Sequence, residues 1–131
     1  MVDIDRFYEL LKEVCEELPE DFFRELHHGV HLSEECKYSP YDVDGSMMIM
    51  GEYHRGNQGN KIAIYYGSFE KSFGWMSEEQ LKEKLREVVR HEFRHHLENL
   101  GGVHGVDSLE HEDRVEIKRM VDARKERETG Q

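Results

Sequence analysis

The chain has 131 residues, 37% of them hydrophobic and 36% charged, with a formal net charge of −11. That length allows one compact domain with a thin core, and two prolines with no repeat or biased tract argue against a disordered chain. The acidic balance argues against nucleic acid and anionic membranes as partners, because nothing offsets phosphate repulsion.

The N-terminus reads MVDIDRFYELL, acidic where a secretion signal needs positive charge before an apolar block. With no run long enough to cross a bilayer, the protein is expected in the cytoplasm. Cys15 lies on an apolar helix face and reads as a core thiol. Cys36 stands alone, so no disulfide framework is expected.

Ile4, Phe7, Leu11, Val14 and Leu18 recur at three and four residues, which predicts an amphipathic helix ended by Pro19. Residues 19–26, PEDFFREL, read as a second short helix with proline in its first turn. A β-leaning middle covers 28–70. It predicts short strands at 29–33 and 46–54, a loop at 36–46, a turn at 54–60 closing a hairpin, and a last strand at 61–69, KIAIYYGSF. The glycines at 51, 56 and 59 do not form a phosphate loop, since no Lys-Ser/Thr and no helix follow.

Ser77-Glu78-Glu79-Gln80 has the form of a capping box and opens a long helix over 77–101. Leu81, Leu85, Val88, Val89, Phe93, Leu97 and Leu100 form its buried stripe, and Gly101-Gly102 ends it. A loop at 101–106 leads to a C-terminal helix over 107–125, followed by a polar tail at 126–131. The expected whole is one α+β domain: a small, mostly antiparallel sheet against an N-terminal helix, the long helix and a C-terminal helix.

The long helix carries VVRHEFRHHLE at 88–98. With Leu81 at 0° and about 100° per residue, His91 falls near 280°, His95 near 320° and Glu92 near 20°. The two histidines lie one turn apart on a flank of the buried stripe, with Glu92 between them and the core. That is what two imidazoles need to hold one metal ion, zinc by default, with a carboxylate near the open coordination position. His96 points into the middle of the apolar face and reads as a hydrogen-bonded core histidine. Glu98 lies two turns beyond His91, so its expected role is to orient a ligand or an arginine.

A catalytic zinc usually takes a third protein ligand. On the C-terminal helix Asp113 falls among Leu109, Ile117, Met120 and Val121, where a carboxylate is costly unless paired or metal-bound. Asp113 is therefore the first candidate, with Glu110 and Asp107 in reserve and His104 possible. The bland alternative is a charged surface helix with i,i+4 pairs.

These residues resemble a known family. VVRHEFRHHLE, preceded by IAIYYGSF and placed near the end of a short acidic chain, is similar to the small bacterial zincin-like metallopeptidases. His91, Glu92, His95 and His96 match their His-Glu-x-x-His-His motif position by position. The resemblance implies a zincin-like fold, zinc at His91 and His95, and Glu92 as catalytic base for hydrolysis of a peptide or protein substrate. Many members carry a glycine three residues after the second histidine and an acidic ligand three further on. Here Glu98 and Gly101 occupy those positions, so the third ligand does not carry over. A non-catalytic metal-binding or interaction domain on the same scaffold is the alternative.

Overall fold

The computed structural model of the protein describes residues 1–39 and 48–101. Asp3 opens the first helix, α1 (Ile4–Glu16), by accepting a hydrogen bond from the Arg6 amide at 2.8 Å. Phe7, Leu10, Leu11 and Val14 are its buried face. The short helix expected at 19–26 is only a 3-10 turn, Glu20–Phe23. Glu25 takes a left-handed backbone (φ 59°), which an α-helix cannot continue through.

The strands are β1 (Val30–Ser33), β2 (Lys37–Tyr38), β3 (Met48–Ile49), β4 (Gly51–His54) and β5 (Lys61–Tyr65). A three-stranded sheet has the order β1-β5-β4, and β2-β3 form a separate antiparallel pair. β4 and β5 are the expected hairpin, antiparallel with His54 opposite Lys61. β1 runs parallel to β5, with Val30 opposite Ile62. β2 falls inside the stretch read as loop.

The strand expected over 61–69 stops at Tyr65. A helix, α2 (Tyr66–Phe73), replaces its second half and buries Ser68, Phe69, Ser72 and Phe73. β5 also lies between two partners, so it is the centre of the sheet.

Gly67 explains how α2 fits. A Cβ there would stand 2.7 Å from the carbonyl oxygens of both Glu34 and Glu35, so the first turn of α2 lies directly on the β1–β2 connection. Ser68 secures that approach by accepting the Lys37 amide hydrogen at 2.9 Å. Gly67→Ala is expected to cost about 1–3 kcal/mol, because backbone and not a flexible side chain must move. Urea denaturation of the variant measures it, and a change below about 0.5 kcal/mol contradicts the packing described.

The last described helix is α3 (Glu78–Gly101). Its capping box forms as read: Ser77 N–H donates to Gln80 Oε1 at 3.0 Å, and Gln80 N–H donates to Ser77 Oγ at 3.2 Å. Leu81, Leu85, Val88, Val89 and Phe93 join Ile62, Ile64, Phe69, Phe73 and the buried face of α1 in one core. Arg6 pairs with Glu78, Lys82 with Glu13, and Arg86 with Glu17, at 2.7–2.8 Å. Numbers rise together along these pairs, so α1 and α3 run parallel. The pairs are partly exposed and fix register more than they add stability.

Candidate functional site

α3 also runs alongside β4. A Cβ on Gly51 would meet Val88 Cγ1 at 3.0 Å, so this glycine lets strand and helix approach closely. Tyr53 reaches His96, and Arg55 reaches Asn99. The His-Glu-x-x-His stretch is thereby held level with β4, on the inner side of the sheet.

His91, Glu92 and His95 are all buried, at 8%, 6% and 4% exposure. The rings of His91 and His95 stand nearly perpendicular, at 88°, with centroids 4.6 Å apart. The two Nε2 atoms are 3.0 Å apart. A hydrogen bond across that gap requires one nitrogen protonated and the other offering its lone pair.

The same convergence suits a metal. Two imidazole nitrogens bound to one zinc, each at about 2.0–2.1 Å, lie about 3–3.5 Å from each other. One turn beyond His95, Glu98 Oε2 is buried with no hydrogen-bond partner among the described residues. A buried oxygen of this kind calls for an explanation such as an ion or ordered water. The donors thus fit a borderline metal such as zinc. Among the described residues, no group of three or more His, Cys, Asp or Glu side chains comes together as a ligand set. The candidates for a further ligand, Asp113, Glu110, Asp107 and His104, lie outside the described residues.

His96 is fully buried and does what the sequence reading assigned to it. It is the middle of a directed chain of hydrogen bonds. Arg55 donates to Asn99 Oδ1 at 3.1 Å, and Asn99 Nδ2 donates to Tyr53 Oη at 3.1 Å. The Tyr53 hydroxyl donates to His96 Nδ1 at 2.8 Å, and His96 Nε2 donates to the Arg24 carbonyl at 2.7 Å. The Arg24 carbonyl can only accept, so His96 Nε2 carries a hydrogen. The chain ties β4, α3 and the turn after α1 into one frame around the histidine pair. Burial raises the Tyr53 phenol above its ordinary pKa, and the hydrogen bond from Asn99 opposes this. Tyr53, Arg55 and Asn99 were not singled out in the sequence. Only the strand–helix register brings them together.

A second polar group sits on the opposite side of the sheet. Glu52 accepts from the Tyr65 hydroxyl at 2.6 Å and pairs with Lys37, whose ammonium also lies 5.3 Å from the centre of the Tyr65 ring. Burial first, then the Glu52 hydrogen bond, pushes the Tyr65 phenol up to about 12. Burial also opposes ionisation of Glu52, but the hydrogen bonds from Lys37 and Tyr65 outweigh it and hold the carboxyl below its ordinary pKa. Tyr66 is a packing residue: its ring meets Phe7 edge-on and its hydroxyl donates to the Val2 carbonyl. Cys15 is half-buried against the core, and burial pushes its thiol up to about 11, as befits an inert thiol.

No helix among the described residues is long and apolar enough to cross a membrane. No curated protein matches the chain. Among solved structures, a conserved hypothetical protein of T. thermophilus is similar: 36% identical, TM-score 0.67, covering 76% of this chain and 98% of that one. The model of the zincin-like metallopeptidase family matches residues 15–114, well over half of the chain and all of the His-Glu-x-x-His-His stretch. The chain belongs to the zincin-like metallopeptidase family.

Proposed function

We propose that the protein is a zinc-dependent peptidase, in which His91 and His95 hold the ion and Glu92 is the general base. The observation that carries this reading is the pair of buried Nε2 atoms 3.0 Å apart on one turn of α3, with a buried glutamate between them in sequence. Asp113 is proposed as the third ligand, with Glu110 and Asp107 as reserves.

Zinc bound there would supply Lewis acidity, lowering the pKa of a water toward about 7 and polarising the scissile carbonyl. Glu92 then takes the proton of the attacking water on its carboxylate and delivers it to the leaving amine. Burial suits this work, because a carboxylate shielded from bulk water exchanges its proton with the reacting groups and not with solvent. The Tyr53–His96–Arg24 hydrogen bonds hold α3 against β4, so the base keeps its place relative to a substrate lying on the strand.

β4 is the strand on which a peptide substrate would lie. It pairs with β5 on one side, and no described strand pairs with its other edge. An extended peptide added antiparallel to that edge would bond through its backbone, which favours an unfolded segment over a folded surface. β5, whose two edges are both occupied, is unavailable for this.

Hydrolysis of an unstructured peptide library is expected to stop after dialysis against a chelator and to return with about one equivalent of zinc. Cleavage that survives metal removal contradicts the proposal. Metal retained without any cleavage across the library favours a metal-binding domain that does no chemistry.

A further inference from the structure

Strand alternation sends Gly51 and Tyr53 toward α3, so Glu52 and His54 face the other way. On that outer face His31 of β1 and Glu52 of β4 flank Ala63, and His54 lies opposite Lys61. The turn at 55–60 closes one end, with Gly59 at φ 127° bringing the backbone against His27 and His28. The result is an open depression of about 540 Å³ lined by His28, His31, His54, Arg55, Lys61 and the turn residues 56–59.

Its charge is opposite to that of the chain. Acidic residues outnumber Lys and Arg by 29 to 18. Many cations elsewhere are held by carboxylates: Arg6, Lys37, Lys82, Lys84 and Arg86 all make ion pairs. Among the described residues, the depression has no carboxylate in its lining. Arg55 is committed to an amide oxygen, that of Asn99. Glu52 has its Oε1 3.5 Å from His54 Nε2, but the same oxygen already serves Lys37 and Tyr65.

Three histidines in one depression invite a metal reading. Among the described residues, however, they do not form a ligand set of three. His28 Nε2 is also taken, 2.8 Å from the Gln58 carbonyl oxygen, to which it donates. What remains is a concave set of N–H donors, with Arg55 and Lys61 supplying full charge and imidazoles supplying neutral or charged hydrogen bonds. Such a set recognises anions through charge-assisted hydrogen bonds, and concavity focuses its field against the acidic background.

We infer that this depression is a binding site for a small polyanion bearing clustered carboxylate or phosphate groups. It lies on the face of the sheet away from α3 and does not depend on the peptidase reading. Occupancy would draw on Arg55, whose other contact is Asn99 of α3, so an anion bound here touches the frame that holds His96.

The test is an amide-resolved NMR titration of the full chain with inorganic phosphate, citrate and triglutamate in turn, chloride keeping ionic strength constant. Saturable shifts confined to residues 28–31 and 54–61 are expected with at least one probe, and the probe that saturates tells carboxylate from phosphate. Lys61→Glu breaks no side-chain contact among the described residues and is expected to weaken binding by about tenfold or more, while Lys71→Ala leaves it unchanged. Arg55→Gln provides a second variant that keeps the amide contact feasible. No saturable shift at about 10 mM, a concentration at which even weak affinity registers, overturns the inference. Shifts that chloride alone reproduces, or that Lys61→Glu leaves intact, overturn it as well.

Discussion

Glu92→Gln is expected to lower kcat/KM for peptide hydrolysis by about 10²–10⁴-fold, the range general-base catalysis supplies, while zinc content stays at the wild-type value. Glutamine keeps nearly the volume of glutamate but cannot accept a proton. Glu92 is buried at 6% exposure between two histidines that carry the metal role in the account. Its loss should therefore remove a chemical step and leave the ligands standing. The split between activity and metal content is the informative part. If activity and zinc fall together, Glu92 supports the site's structure. If neither falls, another group is the base.

His96→Ala is expected to destabilise the fold by about 3 kcal/mol, because it opens a cavity at a fully buried position and leaves two part-buried hydrogen-bonding groups short of a partner. His96 is fully buried and uses both ring nitrogens, one for the Tyr53 hydroxyl and one for the Arg24 carbonyl. Deleting it takes the acceptor from the Tyr53 hydroxyl and the donor from the Arg24 carbonyl at once. For a chain of this size the corresponding fall in Tm is about 10 °C. Tyr53→Phe removes two links, the bond to His96 Nδ1 and the bond from Asn99 Nδ2, and should cost about 1–3 kcal/mol. The double variant should cost less than the sum, since the two side chains share a bond. Urea denaturation of the four proteins reads all three quantities. Strict additivity, or a loss below about 1 kcal/mol for His96→Ala, would show that the chain of hydrogen bonds does not hold the frame.

Much of this arrangement is legible in the residues. The capping box at Ser77 and Gln80, the 3–4 spacing of α1 and the stripe of α3 from Leu81 to Phe93 are local signals, and local geometry realises them, whereas Leu97 and Leu100 at the end of the expected stripe are only partly buried. The angles of His91 and His95 around the helix follow from the same periodicity, as does the inward direction of His96.

What failed did so where tertiary contacts outweigh local preference. KIAIY followed by YGSF reads as one extended run because tyrosine and isoleucine favour strands. Yet Tyr66, Phe69 and Phe73 also repeat at three and four residues, and the helix wins because that face meets Phe7 and the β1–β2 connection. No side chain caps the start of α2, so the usual signal for a helix start is absent. The near-continuous apolar run of β5 marks a central strand with both faces covered. The Lys37–Glu52–Tyr65 group and the Arg55–Asn99–Tyr53 links depend on register between elements far apart in sequence. Spacing carries no trace of them.

The most direct test of the central claim is metal content by plasma mass spectrometry, on untagged wild-type protein and on His91→Ala and His95→Ala, purified without added metal. The account predicts about one zinc per chain in the wild type, the stoichiometry of a single catalytic site, and loss of that zinc in each variant with the fold intact by circular dichroism. Wild-type protein that carries no zinc and takes up none at micromolar concentration, or variants that keep it, would contradict the account and leave the His91–His95 pair as a hydrogen-bonded feature of the helix.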